Sequence, residues 1–289
     1  MAQKNHKIHL ESLSKSKDTF PSAAIREALR VYYKTSAPYL KQPALDKAYF
    51  SGYVAWLSQY APKGARILDV GCGTGLSSCL LKQNGFEVIG MDISFCLLEK
   101  TCRQGLESAE YVVADAVDLP FRDASFDVIG SMSCLEHIPD TEQLLEEMMR
   151  VLKRRGFMLI MAPNLLSPFL ALSVFFRICF KKKGMPGFAS TPREALRLFF
   201  RNLFVSLRKK INKSAQFLYR RPDLSCAYGG DVDGVYLACQ IDLKNFFTNN
   251  KWEIIEYATN KGIRSCWAKI ITKVFPDFCG ACSIVVRKP

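Results

Sequence analysis

Short apolar runs separated by stretches of helical periodicity fill the chain from residue 66 to residue 162. Runs at 66–70, 87–91, 111–114, 126–131 and 157–162 have the length of buried strands, and the segments between them carry apolar residues three and four apart. Strands buried on both faces and joined by helices predict a parallel sheet with crossovers packed on either side, a doubly wound α/β domain. Further on, 241–249 reads as a helix and 252–259 and 282–287 as two more strands, seven in all. A helix over 141–153 is expected to stop at Arg154-Arg155-Gly156. Ahead of the first strand, 21–35 and 44–60 read as amphipathic helices, with Pro21 suited to a first helical position. The resulting division is a flexible tail at 1–20, N-terminal helices at 21–60 and a principal domain at 61–289 that carries a helical insertion at 164–223.

Candidate chemistry sits where the runs end. Ile67-Leu68-Asp69-Val70-Gly71-Cys72-Gly73-Thr74-Gly75 is a strand opening onto three alternating glycines and then a helix. Such a turn lets backbone and a helix N-terminus approach a nucleotide-like ligand, although a plain strand-to-helix turn also uses glycine. The spacing is GxGxG, not the GxGxxG of dinucleotide sites. Asp92 ends the second run, about twenty residues on, where a carboxylate accepts hydrogen bonds from ribose hydroxyls or else caps the next helix. Asp115, with Ala116, follows the third run and is placed to accept from an adenine amino group. The fourth opens on Ser131-Met132-Ser133-Cys134-Leu135-Glu136-His137-Ile138-Pro139, and His137 is the only histidine outside the tail.

With these motifs in order, residues from about 65 to 163 resemble the class I S-adenosylmethionine (SAM)-dependent methyltransferases of the small-molecule type. The matching stretches are ILDVGCGTG, VIGMDIS, VVADAVDLPF, FDVIGSMSCLEHIPD and EEMMRVLKRRGFMLIMAPN. The resemblance implies a Rossmann-like sheet of order 3-2-1-4-5-7-6 with an antiparallel seventh strand, and SAM as methyl donor. It assigns Asp69 and the loop Gly71, Cys72, Gly73 and Gly75 to the methionine end of SAM, Asp92 and Ile93 to the ribose, Asp115 and Ala116 to the adenine, and Ser131 to the same binding surface. LEHIPD and APN are also similar to O-methyltransferases of ubiquinone biosynthesis. Those enzymes carry a further Glu, thought to help hold a divalent metal, where this chain has Ser133, so no metal is expected. Methyl transfer to a hydroxyl needs a proton removed. His137 is the candidate base, with a hydrogen-bonded structural histidine as the alternative; Glu136, the second catalytic candidate, reads as a loop-fixing or metal-adjacent residue in preference to a base.

Charge alters the picture in one place. The chain carries a formal net charge of +13, and residues 177–221 hold thirteen Lys and Arg against the single acid Glu194. The same segment is apolar. Residues 165–180 are too short to span a bilayer and contain Pro168 and Arg177. In 192–210, Leu196, Phe199, Phe200, Leu203, Phe204 and Leu207 fall on one helical face and Arg193, Arg197 and Arg201 on another. Such a helix is expected to lie in an anionic membrane interface, the contact being assigned to 165–210. The competing reading is a lid packed on the acceptor pocket. Nucleic-acid binding fits less well, because the aromatic residues group with Leu instead of interleaving with the cations. The segment from Tyr228 to Tyr236 reads as part of the acceptor site or as an ordinary loop. With 49% hydrophobic and 23% charged residues and a polar start lacking an apolar leader, a packed cytosolic protein, peripherally membrane-bound, is expected. Its eleven cysteines read mainly as reduced, buried thiols. The function expected is SAM-dependent O-methylation of a small-molecule or lipid-linked acceptor at a membrane surface. A nucleic-acid methyltransferase and a non-catalytic SAM-binding adaptor are the rivals.

Overall fold

The computed structural model describes residues 21–35, 37–40, 46–103, 109–180, 184, 188–224, 232–258, 270 and 273–289. The tail 1–20 and the part of the Tyr228–Tyr236 segment up to residue 231 lie outside them. Three helices, α1 (Ala23–Thr35), α2 (Ala37–Leu40) and α3 (Lys47–Tyr60), precede the alternating elements β1 (Arg66–Val70), α4 (Leu76–Gln83), β2 (Glu87–Asp92), α5 (Phe95–Arg103), β3 (Glu110–Val113), β4 (Phe126–Met132), α6 (Thr141–Val151) and β5 (Leu152–Pro163). The chain continues through α7 (Pro168–Cys179), α8 (Pro192–Asn212), α9 (Gln240–Asn249), β6 (Glu253–Tyr257) and β7 (Ala281–Arg287).

The seven strands form one sheet of order β3-β2-β1-β4-β5-β7-β6, the order implied by the family resemblance. The first five are mutually parallel, and β7 runs antiparallel to both β5 and β6. Both faces are covered, as continuous apolar strands require. One cluster joins Leu68, Ile129 and Ile160 to Leu144 and Met148 of α6 and Phe247 of α9. The other joins Ile67, Val128 and Leu159 to Tyr53, Trp56 and Leu57 of α3 and Leu81 of α4. All carboxyl ends of the parallel strands therefore open on one edge, where α/β proteins bind ligands.

Two local expectations need correction. The helix expected over 141–153 ends at Val151, because Leu152 already pairs with Phe126 as the first residue of β5. Arg154-Arg155-Gly156 is thus an irregularity within a strand: Arg155 adopts φ 58°, and a Cβ at Gly156 would lie 2.8 Å from the Asp127 carbonyl oxygen. Pro21 lies before α1, outside its first turn, and its carbonyl accepts from Arg26 Nε at 3.0 Å.

The insertion, taken together with the residues up to 238, leaves the sheet after β5 and returns ahead of α9, and the ends of that longer segment are tied together by a Leu165 N–H donating to the Ala238 carbonyl at 2.9 Å. Helix α8 is well specified at its ends, with a capping box between Thr191 and Glu194, Pro192 at its start and Lys213 in the left-handed region beyond its last turn. The face it turns inward is Ala195, Asn202, Ser206 and Lys209. Asn202 donates to the carbonyls of Leu165 and Ser167, and Ser206 to that of Leu166. Lys209, 1% exposed, is ion-paired with buried Asp242 of α9, which also accepts from Gln216 N and Tyr236 Oη. Burial pushes the Asp242 carboxyl upward and the Lys209 ammonium opposes it. The large apolar side chains point the other way: Phe200 is 60% exposed, Phe204 68% and Ile211 78%, with Leu196 and Leu207 also exposed. Among the described residues no helix is long and apolar enough to cross a membrane.

Candidate active site

The carboxyl ends of β1, β2, β3 and β4 enclose a cavity of about 770 Å³. Gly71 turns out of β1 at φ 73°, and its N–H and that of Cys72 donate to the Met91 carbonyl. A Cβ at Gly71 would lie 2.4 Å from Cys134 Sγ, so glycine lets the β1 and β4 loops close on each other. Gly73, at φ 56°, faces open space and donates its N–H to Asp92 Oδ2 at 2.9 Å. Asp92 Oδ1 accepts from Ser94 N. Burial raises the Asp92 carboxyl, and the amides of Ser94 and Gly73 oppose it. Gly71, Gly73, Asp92, Ile93, Asp115, Ala116 and His137 all line the cavity.

The remaining sequence candidates stand behind that wall. Asp69 is buried and accepts from Tyr53 Oη (2.8 Å), Ser77 Oγ (2.6 Å) and Ser78 Oγ (2.7 Å), so it braces β1 against α3 and α4. Burial raises its carboxyl, and the three hydroxyls oppose the rise. Ser131 Oγ donates to the Val70 carbonyl, and Cys72 and Gly75 shape the turn. Glu136 is fully buried in a 3₁₀ turn, Leu135–His137, and its carbonyl accepts from the N–H groups of both Val235 and Tyr236.

Helix α1 roofs the cavity. Arg30 of α1 pairs with Asp115 at 3.0 Å and Arg26 with Asp140, while Ala23, Glu27, Leu29 and Tyr33 complete the roof. The same cavity is lined by a polar aromatic cluster of Tyr33, Tyr39 and His137. Tyr33 Oη is 2.8 Å from His137 Nδ1 and donates to Asp233 Oδ2 at 2.9 Å, and Tyr39 Oη donates to the same Asp233 oxygen. The rings of Tyr33 and Tyr39 meet His137 edge-on at centroid separations of 5.4 and 6.3 Å. Burial, and then the Asp233 carboxylate, push the Tyr33 phenol far above its ordinary range.

Comparison with known proteins places the central part of the chain among methyltransferase domains. A family model described as a methyltransferase domain matches residues 68–160. Over 99 residues the chain is 41% identical to demethylmenaquinone methyltransferase of Clavibacter sepedonicus, covering 34% of this chain and 40% of that protein. Over 102 residues it is 38% identical to 2-methyl-6-phytyl-1,4-hydroquinone methyltransferase of Synechocystis, covering 34% and 32%. Over 98 residues it is 36% identical to norajmaline N-methyltransferase of Rauvolfia serpentina, covering 31% and 32%. The chain thus spans between about a third and two fifths of these relatives' lengths. In fold it is similar to an S-adenosylmethionine-dependent methyltransferase of Mesorhizobium loti, with TM-score 0.50 and 16% identity over 82% of this chain and 98% of the other. A Pyrococcus horikoshii protein gives TM-score 0.50 and 18% identity over 84% and 91%.

Residues 68–160 carry a methyltransferase domain like those of the SAM-dependent relatives they match.

For a methyltransferase of this class SAM is the methyl donor, and the residues present fit it. The cavity has the volume of a small-molecule site, and an unobstructed glycine and two carboxylates lie along one side. Among the described residues no cluster of three or more His, Cys, Asp or Glu is arranged to hold a metal. The eight described cysteines placed by side chain are free thiols; Cys72, Cys79, Cys239, Cys279 and Cys282 are buried, and burial pushes the Cys239 thiol up to about 12 and the Cys279 thiol up to about 11. Sequence reading did not single out Arg30, Tyr33 or Tyr39, and held Asp233 only within the Tyr228–Tyr236 segment, read as part of the acceptor site or as an ordinary loop. The one available signal was Tyr32-Tyr33 on an amphipathic helix, which does not say what that helix covers.

Proposed function

We propose that this methyltransferase moves the methyl group of SAM to a hydroxyl of a small-molecule or lipid-linked acceptor, of the kind a quinone precursor presents, at a membrane surface. The carrying observation is the shared cavity, which brings Gly71, Gly73, Asp92 and Asp115 together with His137 and its tyrosines. Gly71, Gly73, Asp92 and Ile93 bind the donor's methionine and ribose, and Asp115 with Ala116 its adenine. Asp69 keeps the glycine loop in register from behind. The donor supplies an electrophilic methyl group, so the chain's remaining tasks are alignment and proton removal. His137 takes the proton from the acceptor hydroxyl, and the ring edges of Tyr33 and Tyr39 form a slot for a flat, hydroxylated ring.

The relatives named for demethylmenaquinone and a phytyl hydroquinone support an acceptor of this class. The outward face of α8 supports the membrane location. Leu196, Phe200, Phe204, Leu207 and Ile211 form an exposed apolar arc about 22 Å long, bordered by exposed Arg193, Arg197 and Arg208. Isolated exposed apolar residues are ordinary, but a continuous arc of this size marks a contact surface. Each Arg beside an anionic surface adds about 1 kcal/mol to the insertion of the Phe and Leu side chains.

The test combines vesicle flotation with methyl transfer. Protein, radiolabelled SAM and a quinol-containing lipid extract are incubated with vesicles of phosphatidylcholine and phosphatidylglycerol. The expected result is protein in the floating fraction and label in the organic phase, with Asp92→Ala weakening binding of S-adenosylhomocysteine about tenfold or more. Label confined to aqueous material, or retention on RNA that outcompetes the vesicles, overturns the reading.

A further inference from the structure

Asp233 lies in the return limb of the insertion, about 200 positions from the tyrosines it meets, and is buried behind the cavity wall. Its Oδ2 receives two phenolic hydroxyls, Tyr33 and Tyr39. An ionised carboxylate is an acceptor only, so each phenol directs its one proton to Asp233. Tyr33 Oη then has no proton left for its other neighbour, His137 Nδ1 at 2.8 Å, and takes part in that hydrogen bond as the acceptor. The Tyr33 hydrogen bond therefore draws the imidazole proton to Nδ1, against the pull of the Glu136 carboxyl 3.8 Å from Nε2. The ring is held by these contacts, by the two tyrosine edges and by the 3₁₀ turn whose Glu136 carbonyl is tied to Val235 and Tyr236, next to Asp233.

We infer that Asp233, acting through Tyr33, is a positioning residue that holds His137 as the Nδ1–H tautomer and so leaves the lone pair on Nε2 as the base for the acceptor hydroxyl. The inference rests on the proposed methyl transfer to oxygen. In that step the acceptor O–H proton passes to His137 Nε2, the oxygen forms its bond to the methyl carbon, and the carbon–sulfur bond breaks with its electron pair going to sulfur. The imidazolium so formed donates from Nδ1 toward Tyr33 and Asp233, while the Glu136 carboxylate, 3.8 Å from Nε2, lies close enough to favour the positive charge. The arrangement gives a carboxylate–histidine pair in which a phenol stands between the two partners; the direct His137 Nδ1 to Asp233 Oδ2 separation is 3.7 Å.

The tautomer is directly observable without any acceptor, which separates this inference from the methyl-transfer reading. With only three histidines, long-range proton–nitrogen NMR spectra of the full chain labelled with nitrogen-15 histidine give three ring patterns, and His137→Gln assigns the third. The expected pattern for His137 near neutral pH is Nδ1–H. In Asp233→Asn the amide can donate to Tyr33, which releases the Tyr33 proton for Nδ1, and in Tyr33→Phe the acceptor is removed. Both variants are expected to move His137 to the Nε2–H form while binding S-adenosylhomocysteine within twofold of the unaltered protein, a result that also shows they are folded. Once an acceptor is in hand, Asp233→Asn is expected to lower kcat by about 10²-fold or more, with KM changing less. An Nε2–H pattern in the unaltered protein, or an unchanged pattern in both variants, overturns the inference. Label transfer failing while the tautomer behaves as described overturns the methyl-transfer reading alone.

Discussion

The sheet and the inserted helix α8 solve the burial problem in opposite senses. Around β1, β4 and β5 the large apolar side chains are inside, interlocked with α3, α6 and α9. Helix α8 turns Asn202, Ser206 and Lys209 inward and leaves Phe200, Phe204 and Ile211 facing out. The sheet is held mainly by the area it removes from water. The helix packs Ala195, Leu198 and Phe199 against α7, and a small set of directional contacts centred on the Lys209–Asp242 pair sets its rotation. A buried pair of this kind adds little net stability over an apolar replacement, but rotating the helix would leave each charge buried without its partner. Polar keying thus fixes which face looks outward, and the outward face is free to be specified by a second environment.

Three variants would break or sharpen that contrast. The largest effect is expected for Asp242→Ala, which leaves Lys209 buried without its carboxylate. Urea unfolding should show a loss of about 3–5 kcal/mol, and a loss below about 1 kcal/mol would mean the pair does not orient the helix. Next is Gly130→Ala in β4, where a Cβ would sit 2.0 Å from Tyr53 Oη and 2.3 Å from a Leu57 methyl. Overpacking there should cost about 1–3 kcal/mol in the same assay and weaken S-adenosylhomocysteine binding, because Tyr53 also braces Asp69. The smallest effect is expected for the double change Phe200→Ser with Phe204→Ser. Stability should stay within about 0.5 kcal/mol while flotation with anionic vesicles falls at least tenfold. A destabilisation comparable with that of a core phenylalanine would place these rings inside and erase the contrast.

Much of the scaffold was legible in the linear pattern because strands buried on both faces must be apolar throughout, and each such run stands out. The same property hid the role of Asp69. In a strand with no exposed face, alternation does not say which side a residue takes, and Asp69 turns to Tyr53, Ser77 and Ser78, behind the cavity wall. Asp92 escaped that ambiguity because it sits past the last inward residue of β2, at the edge where ligands bind. The end of α6 was misplaced because helical propensity continues through Lys153, whereas pairing of Leu152 with Phe126 takes the backbone into the sheet two residues earlier. For α8 the spacing showed an apolar stripe but not its direction, since the deciding partner, Asp242, lies 33 residues further on. Tyr33 and Asp233 are a starker case, being distant in sequence with no motif joining them.

The hydrogen bond between Leu165 and Ala238 has a consequence for how such a chain can diverge. Because departure and return points are adjacent, the intervening segment is a side-track hung on a closed clasp, and lengthening it adds only a slowly growing entropic cost. The segment can therefore be lengthened or exchanged while the strands of the sheet keep their alignment.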